Sequence, residues 1–263
     1  MSQFIDGLNK ISRNNPQPMG FGRSKTAAPG PRIMLIAALP AAATKPAALT
    51  DGADAAIVRP AKNSDGSKSV KKCAAAVPGI PWGIWFDGAN TPAPATDDTA
   101  HDFIVFPAQE TPLSAIGKGK AGRLLAVDAS LSDGLLRAVD DIEVDGLLLL
   151  ENPAEAGTPL TWQDLMRIQH IARLVAKPLL AVVRAAITQG EIQQLWQAGV
   201  DGLVIELAAG RSGDIRRLRD TIDQMSFASP HHRRRNKALL PLVPHKEATA
   251  PAADDDEEYD ADD

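Results

Sequence analysis

The chain has 263 residues, 44% of them hydrophobic, and a formal charge of −5, enough apolar content for one large domain with a packed core. Its single cysteine, Cys73, excludes an internal disulfide framework, so a reducing, cytoplasmic setting is the expectation. Eight of the 33 acids lie in residues 254–263, and without them the charge is +3, which leaves no broad basic face for nucleic acid.

Taken in chain order, Phe4, Ile5, Leu8 and Ile11 recur at helical spacing and predict a short amphipathic helix. Residues 1–31 read as an N-terminal extension, with a proline- and glycine-rich linker from Pro16 to Pro31. The opening residues lack the charged-then-apolar order of a signal peptide. The longest apolar stretch, Ile33 to Ala43, is broken by Pro40 and too short to span a bilayer, so no membrane association is expected.

From Arg32 onward, eight short apolar runs follow one another: Ile33–Leu39, Ala55–Arg59, Trp82–Asp87, Phe103–Phe106, Leu124–Asp128, Gly146–Glu151, Leu179–Arg184 and Gly202–Leu207. They are continuous rather than alternating, as parallel strands covered on both faces should be. Helical patterns fall between most of them, at Ser67–Val77, Ser132–Ile142, Thr161–Ala176, Thr188–Ala198 and Ser212–Met225. Thr161 with Asp164, and Thr188 with Glu191, are capping pairs at two helix starts. Even strands open alike, on Asp54, Asp145 and Asp201, with Asp102 a looser match. Odd strands begin after a proline or glycine, so the repeating unit is β-α-β-α, used four times. Strand–helix alternation with eight strands predicts a (βα)8 barrel over residues 32–227. Residues 228–263 form a low-complexity acidic tail that cannot fold by itself. Within it, His231 to Arg235 is a short basic run, read as solvated rather than as a nucleic-acid site.

The segment Lys177–Leu207 carries a proline, an apolar strand, a turn, a helix, Ala198-Gly199-Val200-Asp201 and a second apolar strand. It resembles the last two strands of phosphate-binding and flavin-binding TIM barrels. The resemblance is to the superfamily and singles out no family within it. It implies a TIM barrel whose ligand site lies near strands seven and eight. Arg184-Ala185-Ala186 stands where those enzymes carry glycines after the seventh strand.

Residues 88–100 have no apolar periodicity, so the helix after strand three is expected to be missing or reduced. The outer face of strands three and four should then be uncovered. The N-terminal helix, the apolar tail stretch Ala238–Val243, a second copy or another protein would cover it, or a loop would lie over it.

Barrel active sites sit at the C-terminal ends of the strands. The polar residues there are Arg59, Asp87, Asp128, Glu151, Arg184 and Glu206. Side-chain parity places Arg59 with Glu206 and Asp87 with Arg184, and puts Asp128 and Glu151 one residue out of phase. The expected neighbours are then Arg59 beside Asp87, Arg184 beside Glu206, and Asp128 beside Glu151. Asp87, Asp128, Glu151 and Glu206 are the candidate acid–base residues, while Arg59 and Arg184 are candidates to hold an anion or simply paired charges. After strand eight, Gly210, Arg211, Ser212 and Gly213 lead into a helix N-terminus that could receive a phosphate, or could be an ordinary cap beside Asp214. No lysine and no histidine ends a strand, which disfavours a Schiff base and a His-ligated metal centre. No cofactor can be named. Two functions stay open: a small-molecule enzyme acting on an anionic or phosphorylated ligand at the C-terminal mouth, and a non-catalytic barrel serving as a binding or assembly module.

Overall fold

The computed structural model describes residues 2–12, 33–60 apart from 41 and 44, 73, 75, 77, 79–86, 101–116, 119–150, 159–207 and 213–227. Each of the eight apolar runs coincides with a strand to within two residues at either end: β1 Met34–Pro40, β2 Ala55–Arg59, β3 Trp82–Trp85, β4 Phe103–Pro107, β5 Gly122–Asp128, β6 Gly146–Leu150, β7 Leu179–Val183 and β8 Gly202–Glu206. All neighbouring pairs are parallel, and β8 pairs back onto β1, so the sheet is a closed barrel in chain order. The described helices are α1 (Gln3–Ser12), α2 (Pro46–Leu49), α3 (Asp133–Ala138), α4 (Trp162–Leu174), α5 (Gln189–Ala198) and α6 (Asp214–Gln224). The architecture is that of a TIM barrel.

Why the runs are apolar on both faces is visible in two separate cores. Ile36, Ala55, Ile57, Trp85, Leu124, Leu148, Leu180 and Val204 pack inside the barrel. Their strand neighbours, such as Leu35, Val58, Leu147 and Leu203, pack outward against the helices. Successive side chains of a strand point to opposite faces, so a strand between two cores has no polar face to spare.

The repeated aspartates have a physical reason. Asp54, Asp145 and Asp201 each donate their own N–H to the carbonyl of Leu35, Arg123 or Leu179, at 2.7–2.8 Å. Each carboxylate then accepts the N–H of that same residue, again at 2.7–2.8 Å. This two-bond bracket ties the start of an even strand to the start of the odd strand before it. It satisfies an edge amide of the odd strand that the sheet ladder leaves over, most consequentially at the buried Leu179–Asp201 pair.

Asp102 breaks the pattern in an informative way. Its N–H still bonds the carbonyl of Trp82 at 2.9 Å, but its carboxylate turns to the start of α1. There it accepts the Ser2 hydroxyl and the N–H groups of Gln3 and Phe4, at 2.7–2.8 Å. An acid at a helix N-terminus satisfies orphan donors and complements the dipole. Phe4 and Leu8 are fully buried and Ile5 nearly so. All three belong to the inner core, with Phe4 stacked on Phe103 at 4.2 Å between ring centroids. Gly122 makes room for this, because a Cβ there would lie 2.3 Å from Ile5. The predicted N-terminal helix therefore exists, and it plugs the N-terminal mouth rather than covering the outside of β3 and β4.

That outer face is not bare, contrary to the expectation. Ile84, Phe86, Ile104 and Phe106 are all buried, and they share a core with Cys73, Val77, Ala115 and Ile116. Residues 87–100, where a helix is expected to be missing, lie outside the described residues, as do the linker and the acidic tail. Between β4 and β5 the described residues hold a single 3-10 turn, Leu113–Ala115. Cys73 is a packing residue, its thiol pushed up by burial.

Candidate ligand site at the C-terminal mouth

The strand alternation that fills the interior also sends charges to its upper rim. Arg59, Asp128, Arg184 and Glu206 follow the inward residues Ile57, Ala126, Val182 and Val204 by two positions. Asp128 is therefore in phase with the interior set, not out of phase as parity counting on the sequence suggested. Asp87, Glu151, Gly210, Arg211 and Ser212 lie outside the described residues.

The structure brings these groups together in pairs other than those expected from strand order. Among the described residues Arg59 meets Glu206, its Nη1 lying 2.8 Å from Oε1. Arg59 is level with Pro40, and Glu206 with Ala38. The intervening strand β1 thus presents only small side chains at this height, and a long guanidinium reaches across it. The guanidinium lies 3.8 Å above the ring of Trp85, which is 4% exposed. Cation–π contact and ion pair together lay Arg59 flat over the barrel axis, with its Nε buried and without a hydrogen-bond partner. The centre of the mouth is closed by Trp85 beneath this lid.

Arg184, by contrast, pairs with a residue that is not on a strand. Its Nη2 donates to Glu191 Oε1 at 2.8 Å. Glu191 is the third residue of α5, and its carboxylate collects further donors: the Thr188 N–H at 2.7 Å, the Thr188 hydroxyl at 2.8 Å and the Leu160 N–H at 3.3 Å. Burial alone would raise this carboxyl, but the Thr188 and Leu160 bonds and the Arg184 charge outweigh it and hold the group below the usual range. Sequence reading found the Thr188–Glu191 capping pair but not its second role. The available signal is spacing: a strand-end arginine followed seven residues later by a helix-capping glutamate, which the short β–α turn returns to the same rim.

Beside this pair lies a cleft of about 100 Å³ over the upper ends of β6 and β7. Leu149, Leu150, Leu160, Val182, Val183 and Ile187 supply apolar walls, and Arg184, Glu191, Arg167 and Asp164 supply the polar ones. The cleft is lined from β6, β7 and the helices beside them, and none of Arg59, Glu206 and Trp85 lines it. Asp128 stands near its edge, next to the lining residue Ala129. Hydrogen bonds from the Ser130 side chain and N–H, the latter 2.7 Å long, lower its carboxyl's pKa. Both Asp128 and Glu191 are thus carboxylates near neutral pH. They accept hydrogen bonds or a proton, while Arg184 and Arg167 only donate.

Of the loop expected to receive phosphate, Gly213 is described. It caps α6 with φ +103° and offers no side chain. Asp214 follows it in the first turn, with Oδ2 buried and unpartnered. Among the described residues, no group of three or more His, Cys, Asp or Glu is placed to hold a metal ion. No described helix is long and apolar enough to cross a membrane.

No family model and no curated relative matches this chain. Solved structures do match in fold. A tryptophan synthase structure from M. tuberculosis superimposes with a TM-score of 0.57 at 14% identity, covering 84% of this chain and 98% of the other. Orotidine 5'-phosphate decarboxylase from Pyrococcus horikoshii gives 0.52 at 14% identity, covering 72% and 100%. Thiamine phosphate pyrophosphorylase from Pyrococcus furiosus gives 0.51 at 17% identity, covering 73% and 95%. At such identities the likeness is one of fold.

Proposed function

We propose that this chain binds a small organic anion at the C-terminal rim of the barrel, in the cleft over β6 and β7, with Arg184 as its anchor. The observation that carries the reading is the cleft itself, an apolar recess with a guanidinium at one end, at the rim where barrels of this architecture place their ligands. Two structural neighbours are named for phosphorylated compounds, which is in keeping with an anionic ligand. In the catalytic form of this reading Asp128 is the base, since it is a carboxylate at the cleft's edge and takes no part in the two rim ion pairs.

A second reading, binding without catalysis, is favoured by one specific feature: Arg59 and Glu206 are spent on each other above Trp85, where a barrel enzyme would hold its reacting atoms.

The test is a thermal-shift screen of the full chain against inorganic phosphate, ribose 5-phosphate, flavin mononucleotide and small carboxylates. A ligand at one hundred times its Kd stabilises by about 2.7 kcal/mol, roughly 5–10 °C for a domain of this size. The expected result is such a shift with at least one anion, lost in Arg184→Gln. Failure of every anion, or an undiminished shift in Arg184→Gln, refutes the proposal. Recovering the bound ligand unchanged after long incubation selects the non-catalytic form.

A further inference from the structure

Resting on that reading, we infer that the anion this cleft takes is a single carboxylate on an apolar body, not a phosphate ester. The usual device for phosphate in an α/β barrel is a helix N-terminus whose free N–H groups face the ligand. Here the four helices that follow β5 to β8 each carry an acid in the first turn: Asp133, Asp164, Glu191 and Asp214. At the two helices flanking the cleft a capping box already uses the N3 and N-cap amides and sets a carboxylate at the terminus. Thr161 and Thr188 accept the N–H groups of Asp164 and Glu191, and those acids accept the N–H groups of Thr161 and Thr188 in return. At α6 the first-turn acid is Asp214, whose Oδ1 lies 3.8 Å from Arg217 and whose Oδ2 is buried without a hydrogen bond, so a carboxylate rather than open N–H groups marks this terminus too.

The cleft's own charges point the same way. Arg184 is matched by Glu191 at 2.8 Å, and Arg167 by Asp164 at 3.7 Å, so the lining is electrically neutral. Glu191 is held in its charged form by its four donors. A dianion set against Arg184 would meet that carboxylate at close range, where like charges repel strongly. A monoanion meets half of that repulsion. Arg184 engages Glu191 through Nη2 alone, and a guanidinium has five N–H groups in a planar fork. The edge formed by its other nitrogens matches the two oxygens of a carboxylate. Leu149, Leu150, Leu160, Val182 and Ile187 receive the apolar body. The volume of about 100 Å³ is of the order of the roughly 150 Å³ cavity that accepts benzene.

The test uses three probes with one shared body, phenylacetate, benzyl phosphate and benzyl alcohol, titrated into the full chain by calorimetry and by ligand-observed NMR. Phenylacetate is expected to bind at least about tenfold more tightly than either of the others. Arg184→Gln should erase its advantage over benzyl alcohol. Glu191→Gln, which keeps the hydrogen bonds of the helix cap, should improve benzyl phosphate relative to phenylacetate. If benzyl phosphate binds more tightly than phenylacetate in the unaltered chain and needs Arg184, the carboxylate assignment is overturned while the anion reading stands. If benzyl alcohol equals phenylacetate, or if none of the three binds, the carboxylate assignment is overturned, and the anion reading falls with it only if every anion of the thermal-shift screen fails as well.

Discussion

Replacing Phe4 by alanine tests whether the N-terminal helix is part of the barrel's core. Phe4 is fully buried and stacks on Phe103 inside the barrel, below the strands' N-terminal edge. Removing a buried phenyl ring forfeits its transfer free energy and leaves a cavity, in all about 3–5 kcal/mol. The N-terminal mouth is lined by β-strands whose hydrogen-bonded ladder cannot collapse inward, so the upper half of that range applies unless α1 undocks. Undocking has a limit of its own, because it strands the Asp102 carboxylate, which loses three donors. Urea denaturation followed by far-UV circular dichroism gives the stability change. Amide hydrogen exchange then shows whether α1 opens alone or with the barrel. A loss below about 1 kcal/mol, with exchange in the barrel strands unchanged, would mean that α1 lies on the surface and contributes nothing to the interior.

Two further outcomes follow from the same structure. Asp201→Ala leaves the Leu179 N–H buried without its acceptor and should cost about 1–3 kcal/mol. Asp201→Asn keeps an acceptor oxygen and should cost distinctly less; equal losses in denaturant midpoint would show that charge, not the two-bond bracket, is what matters. Glu191 titrates lower in the folded chain than in the unfolded one, so the unfolded chain takes up its proton first. Its stabilisation is complete above an unfolded value of about 4.3 and is lost as pH falls through the lower folded value. Urea midpoints measured from pH 6 to pH 3 should therefore fall less steeply in Glu191→Gln, and parallel curves would remove Glu191 from the acid transition.

The architecture was legible in the chain because it is written in local terms. Eight apolar runs without alternation can only be strands covered on both faces, and Thr161–Asp164 and Thr188–Glu191 mark helix starts through hydrogen bonds that span three residues. The repeated aspartates before β2, β6 and β8 were visible as a pattern as well, although their bracket needed coordinates to explain it. Tertiary structure alone decided who meets whom. Arg59 reaches across β1 to Glu206 because Ala38 and Pro40 there are small, and Arg184 turns to Glu191 because the turn into α5 brings that residue back to the rim. The destination of α1 was equally hidden: Phe4, Ile5 and Leu8 announce an apolar stripe, but a stripe does not say whether it lies on a barrel wall or fills its mouth. Periodicity reports which residues are buried; the direction and reach of each side chain depend on the size of residues distant in sequence, and that information exists only once the barrel has closed.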